Sequence, residues 1–273
     1  MKIRFFTLML FWISALSAQQ IADSVYWVYF TDKDANGYEI AQPEAFLSER
    51  SIARRAWQGL AVDHTDEPVT QAYVEELNTM GVEIRHISKW LNGFAMVNAG
   101  HDLFEQVLAK PFADTTAWEP ETDNLYFPPA PSGERFEPPL STSPVYTYGV
   151  ATEQVSMMSM DILHDLGYTG KGVWIAVLDA GFRNVDSLPS FEILIDEGRL
   201  LDARNYVNEL PVFRLPDSSG MNHGMYVLSI MAAEWNGNMV GTAPHASYIL
   251  CMTENTDQET RIEEIAWIEA AEY

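Results

Sequence analysis

The chain of 273 residues is 47% hydrophobic and 12% aromatic, which is ample for one core of ordinary size and leaves room for two modules. A formal charge of −23 and a pI of about 4.4 make it a polyanion that repels nucleic acid and anionic lipid, so neither is an expected partner. Its one cysteine, Cys251, excludes an internal disulfide framework and a cysteine-based metal site; within the apolar run Ser247 to Met252 it reads as a small buried hydrophobe.

Residues 1–18 have the layout of a secretory signal. Lys2 and Arg4 make a basic start, Phe5 to Ile13 form an apolar core too short to span a bilayer, and Ser14, Ala15, Ser17 and Ala18 close it. The expectation is cleavage near Ala18 and a mature protein that is secreted or at the cell surface, with no membrane segment thereafter.

Residues 19–119 read as an α+β unit. Aromatic and β-branched residues 25–31 predict a strand. Helical spacing over 43–57 starts at Pro43 and stops at Gly59, with Phe46, Leu47 and Ile52 inward and Glu49, Arg50, Arg54 and Arg55 solvated. A second helix over 70–80 ends at Gly81. Strands over 82–90 and 94–97 flank Asn92-Gly93, a strong hairpin signal. A helix over 101–110 and a strand over 115–118 complete the unit. Without the second helix the order is β-α-β-β-α-β, the ferredoxin-like plan, which serves many functions.

Residues 120–150 form an expected linker and processing region. Its part up to Pro144 holds half of the 14 prolines, separated by acidic and small residues. Beyond it Met157, Met158, Met160, Ile162, Leu163 and Leu166 suggest a short packing helix stopped at Gly167. The run Val173 to Leu178, bounded by Gly172 and by Asp179-Ala180-Gly181, reads as a strand buried on both faces, as in parallel sheets. Asp179 then stands beyond a strand's carboxyl end, where functional residues of open α/β sheets sit; a turn-capping aspartate is the alternative. Residues 183–220 read as a long loop with a short strand near 201–207.

From Asn222 to Trp235 the apolar spacing is helical, which puts His223 at the helix N-terminus beside Gly224. That position disfavours imidazolium, and a neutral imidazole near a carboxylate is a general base; a solvated capping histidine is the plainer alternative. His245, in the turn Gly241 to Ala246, reads as surface, and His64, His86, His101 and His164 as incidental. A strand over 247–253 follows, then an amphipathic helix over 259–273 with Ile262, Ile265, Ala266 and Ile268 on one side. Asp186, Asp196, Asp202 and Asp217 are possible oxygen donors, yet no ligand spacing marks a calcium site, and no cofactor is evident.

Val177-Leu178-Asp179-Ala180-Gly181 resembles the Asp motif of subtilisin-like serine peptidases, and Asn222-His223-Gly224-Met225-Tyr226-Val227 resembles their His motif. Gly241-Thr-Ala-Pro-His-Ala246 is similar to the segment after that helix, and the order Asp then His also matches. The resemblance implies an α/β fold, a subtilisin-like parallel sheet flanked by helices and incomplete here, preceded by a ferredoxin-like propeptide. Residues 151–273 would be the front part of the catalytic domain. It implies a secreted serine endopeptidase acting through an Asp-His-Ser triad with Asp179 and His223 as catalytic residues, and with a protein or peptide substrate and its own propeptide as partners. Met225, Tyr226, Leu228, Ser229 and Ala180 depart from the family's usual residues. The Gly-Thr-Ser-like nucleophile motif does not occur up to Tyr273, so the chain is expected to be a truncated piece, inactive as it stands. An inactive subtilisin-like peptide-binding protein, or a propeptide-type inhibitor formed by 19–119, are the alternatives.

Overall fold

A computed structural model describes residues 25–114, 145–217, 219–256 and 261–273. The expected signal segment, the strand over 115–118 and linker residues 120–144 lie outside the described residues.

The first unit is a four-stranded antiparallel sheet with helices packed on it. In chain order it comprises β1 (Tyr26–Phe30), α1 (Glu49–Gln58), α2 (Gln71–Thr79), β2 (Ile84–Ser88), β3 (Gly93–Met96), α3 (His101–Leu108) and β4 (Ala113–Asp114). The sheet order is β2-β3-β1-β4, with β1 antiparallel to both β3 and β4. Period-two alternation turns Val28 and Phe30 inward, where they meet Phe94, Met96, Val74, Leu77, Val107 and Phe112.

The expected helix over 43–57 is two pieces. A 3₁₀ turn at Pro43–Ala45 precedes α1, because Ser48 is extended and its Oγ accepts the Ser51 amide at 3.2 Å as an N-cap. Gly59 closes α1 in the left-handed region. Two of the arginines expected to be solvated are engaged instead. Arg55 pairs with the buried carboxylate of Asp66, and the Arg50 guanidinium lies 3.1 Å from the ring centre of Trp174 in the second unit.

The second unit comprises α4 (Thr152–Met157), α5 (Met160–Asp165), β5 (Trp174–Asp179), α6 (Glu192–Asp196), β6 (Leu200–Asn205), α7 (Ser219–Ala232), β7 (Glu234–Trp235), β8 (Met239–Val240), β9 (Ser247–Met252) and α8 (Arg261–Glu272). Its main sheet is parallel, in the order β5-β9-β6, with Asp179, Met252 and Asn205 in register at the carboxyl ends. Val177, Phe182, Leu194, Leu228, Tyr248 and Leu250 form the core on the α7 side. Ala266 and Ala270 of α8 cover Cys251 on the other side. Among the described residues no helix is long and apolar enough to cross a membrane.

Three expectations for this unit are corrected. β5 is well covered on one face only: α8 reaches Leu178, while Trp174 and Ala176 on the same face remain exposed. The stretch 183–220 is not a loop broken only by the expected strand, which is present as β6; Phe191 and Leu194 are buried in the 3₁₀ turn Pro189–Phe191 and in α6. The methionines expected to pack include Met157 and Met158, 81% and 62% exposed, because α4 and α5 are separate short helices that bury Val155 and His164.

The last turn of α8 joins the two units. The Arg85 guanidinium donates to Glu269 at 2.8 Å and to the Tyr206 carbonyl at 2.7 Å. The Glu272 carboxylate accepts the Ser88 hydroxyl at 2.6 Å and the Trp90 amide at 3.1 Å, with His86 Nε2 at 3.5 Å. Burial alone would raise the Glu272 pKa, but His86, the Ser88 hydroxyl and the Trp90 amide together outweigh it and hold the group below the usual glutamate value. A depressed carboxylate stabilises the fold above its unfolded pKa, and that contribution is lost as pH falls through the folded value. Glu272→Ala should therefore cost about 1–3 kcal/mol near neutral pH. In urea unfolding of the full chain, the gap between wild type and variant should close on the acid side of the ordinary glutamate range; an unchanged gap there would assign the loss to packing alone.

Candidate active site

The carboxyl end of β5 delivers Asp179, which is 7% exposed. Its backbone carbonyl accepts the Thr253 amide at 2.9 Å, which ties the end of β5 to the residue that follows β9. Its Oδ1 accepts the Ala180 amide at 2.7 Å and lies 2.7 Å from His223 Nδ1. Asp179 and His223 are thus brought together across 44 residues of chain. The histidine side chain is itself 61% exposed, so the pair is half inside the protein and half open to solvent.

This approach depends on two glycines. A Cβ on Gly224 would stand 2.8 Å from the Gly181 carbonyl oxygen, 2.8 Å from the Phe182 ring and 3.0 Å from Asp179 Cβ. A Cβ on Gly181 would meet the Met221 carbonyl oxygen at 2.5 Å. With neither present, α7 lies backbone to backbone against the turn after β5. There the Met225 amide donates to the Gly181 carbonyl at 2.9 Å and the Arg183 amide to the Met221 carbonyl at 3.3 Å. Arg183 also reaches the loop before α7, donating to the Leu215 carbonyl at 3.1 Å and to Asp217 at 3.2 Å. Asn222 Nδ2 donates to the same Asp217 oxygen at 3.2 Å.

His223 is not at the very start of its helix, as the spacing suggested. α7 begins at Ser219, so the histidine sits one turn in. Its imidazole pKa is raised, through the hydrogen bond to Asp179 first and the charge of Asp179 second; burial opposes and Glu254 adds a smaller raising effect. The Asp179 carboxylate thus sets the direction of the shift, and one turn into the helix the dipole has largely faded. An ionised carboxylate can only accept, so the neutral imidazole carries its proton on Nδ1 and leaves the Nε2 lone pair for another partner. A cavity of about 310 Å³, bordered by Ala180, Gly220, His223, Glu254 and Thr256, opens beside the ring. A base held by a carboxylate at the edge of a cavity can accept a proton from a bound hydroxyl.

Glu254 and Thr256 carry no motif and were not legible as site residues. Their one signal is position, just past the carboxyl end of a parallel strand. Of the aspartates considered as oxygen donors, Asp186 accepts from Arg214 at 2.5 Å, Asp202 from Arg204 at 2.9 Å and Asp217 from Arg183 at 3.2 Å. Among the described residues no three acidic, histidine or cysteine side chains group as a metal site would require. Cys251 is buried, and burial pushes its thiol up to about 11.

The other histidines are less incidental than the sequence suggested. His164 is fully buried; its Nε2 donates to the Thr242 carbonyl at 3.0 Å and its Nδ1 accepts the Tyr148 hydroxyl at 2.9 Å. His245 is half-buried rather than surface, with Thr169 Oγ1 at 2.8 Å, Glu234 Oε1 at 3.0 Å and the Tyr146 hydroxyl at 3.2 Å. Together they fasten residues 146–148 to the second unit. His64 pairs with Glu67 at 2.9 Å, and His101 lies 3.8 Å from Glu105.

Residues 25–130 match the family model described as the Peptidase S8 propeptide domain, Bacteroidota. The match points to the N-terminal region of a subtilisin-like peptidase precursor. No curated protein matches the chain.

A raised histidine pKa means that the interaction with Asp179 is at full strength below the unfolded value and is lost as pH rises through the folded one. In an NMR titration the His223 ring should titrate above an ordinary histidine, and Asp179→Asn should bring its midpoint down. A midpoint indifferent to that substitution would contradict the pairing.

Proposed function

We propose that this chain carries the front part of a secreted subtilisin-like serine endopeptidase precursor. In this reading residues 1–18 are a signal peptide, 19–119 a ferredoxin-like propeptide that assists folding and covers the enzyme, 120–150 the region where it is cut away, and 151–273 the start of the catalytic domain. The propeptide match over 25–130 and the strand order β2-β3-β1-β4 support the first half. The observation that carries the second half is the 2.7 Å contact between His223 Nδ1 and Asp179 Oδ1 at the carboxyl end of a parallel sheet.

The chemistry follows from that contact. Asp179 holds the imidazole in the tautomer with the proton on Nδ1. His223 Nε2 takes the proton of a serine hydroxyl as the oxygen attacks the peptide carbonyl. Asp179 stabilises the imidazolium that forms, and His223 then returns the proton to the leaving amine. The serine is supplied by a longer form of the polypeptide. Of the two unusual residues in the His motif, Tyr226 is 55% exposed and Met225 packs against the core behind the helix. Calcium or any other cofactor plays no part in the proposal. The substrate is a protein or peptide outside the cytoplasm, and the propeptide is the internal partner.

The test is to read the coding DNA past codon 273, express the whole frame and assay peptide hydrolysis and labelling by a serine-directed phosphonate. Asp179→Asn should lower kcat by about 10⁴ and His223→Ala by about 10⁶, with KM little changed. Wild-type rates in both variants would defeat the proposal.

A further inference from the structure

Asp179 and His223 belong to a strand and a helix, and the turn after β5 and the loop running into α7 flank them. Arg183, four residues after Asp179, joins that turn to that loop. Its amide donates to the Met221 carbonyl at 3.3 Å, its Nε to the Leu215 carbonyl at 3.1 Å and its Nη1 to Asp217 Oδ1 at 3.2 Å. Asn222, the residue before His223, donates its Nδ2 to the same Asp217 oxygen at 3.2 Å. One carboxylate oxygen thus accepts from the flank of each member of the pair. Leu215 is buried with Met221 and Met252, so the carbonyl that takes Arg183 Nε is set by the core. The next residue, Asn184, donates its amide to the Phe213 carbonyl at 3.0 Å, which laces the same turn to the same loop further back.

The chemistry of arginine suits this place. A guanidinium holds its donors in a rigid planar fork, so Nε and Nη1 serve two acceptors at a set angle; an ammonium is a point charge on a flexible stem. Asp217 is 71% exposed, so its ion pair with Arg183 contributes little to folding. Position is more sensitive than stability. A misplacement of about 1 Å can cost a reaction on the order of 10²-fold. The imidazole is held to Asp179 by a hydrogen bond on a ring largely open to solvent, so it lies where α7 puts it.

We propose that Arg183 is a positioning residue for the Asp179–His223 pair: through Leu215, Asp217 and Asn222 it sets where the first turn of α7 lies, and so seats the imidazole on the carboxylate. The proposal rests on the peptide-hydrolysing reading above for its effect on turnover, but the geometry it claims is read on the ring itself.

The test follows the His223 ring by NMR in the full chain, in Arg183→Met and in Asp217→Ala. These substitutions remove charges of opposite sign. Through space alone, loss of the cation would raise the His223 midpoint and loss of the anion would lower it. A loosened clamp lowers both, partway toward the midpoint of Asp179→Asn, and weakens the preference for a proton on Nδ1. Asp217→Asn, which keeps an acceptor oxygen, should restore most of the wild-type behaviour, and Arg183→Lys only part. Urea unfolding should stay close to wild type in all four variants. In the whole-frame protein Arg183→Met should lower kcat about tenfold with KM little changed. Midpoints that move in opposite directions or not at all, an Asp217→Asn that recovers nothing, a loss of folding that parallels the shift, or an effect on KM alone would overturn the proposal. If the ring responds as expected while His223→Ala leaves hydrolysis unchanged, the positioning role stands and the catalytic reading falls.

Discussion

The site depends on how closely α7 can approach the turn after β5. Side chains of ordinary size would hold a helix and a loop apart; here Gly181 and Gly224 face backbone and ring atoms at distances that leave no room for a Cβ. The two backbone hydrogen bonds between Gly181 and Met225 and between Arg183 and Met221 exist because of that closeness. Once they are made, Asp179 and His223 have little choice of distance. The carboxylate is fixed by its strand, by the Ala180 amide and by the Thr253 amide on its own carbonyl, so the imidazole meets a preorganised acceptor. The Asp179–His223 pairing is a consequence of a packing constraint.

The same economy appears at α8. One face buries Ile265, Ala266 and Ala270 in the second unit. Its first turns line a cavity through Glu263 and Glu264, and its last turn places Glu269 and Glu272 against β2 and the turn after it. A single helix thus lines a cavity at one end and grips the first unit at the other. The buried end of Glu272 accepts donors from three consecutive positions of the first unit, Ser88, Lys89 and Trp90, so removing that unit would leave a charged group to be resolvated.

How much of this could be read from sequence follows from what local patterns encode. The strand ending in Asp179 and the helix bearing His223 were legible because β-branched runs, helical spacing and glycine punctuation are local signals. That the two residues meet was legible only through the order of two motifs. Periodicity reports which side of an element is apolar, not what covers it, so the exposure of Met157, Met158 and Trp174 was out of reach. The partners of His164 and His245 lie as many as 78 and 99 residues away, and no spacing rule spans such distances. Pro189 and Pro211 punctuate the stretch around α6 and hid that helix behind the look of a loop. Ser48 broke the expected first helix because a capping hydroxyl competes with continuation of the helix.

Asp179 fixes one tautomer of His223 and leaves the Nε2 lone pair free to act as a base beside the cavity. The most direct measurement is the ¹⁵N chemical shifts of the His223 ring on the alkaline side of its titration. The expected result is a protonated Nδ1 and an unprotonated Nε2, with the bias lost in Asp179→Asn. A ring protonated mainly on Nε2, as in an unrestrained histidine, would contradict it.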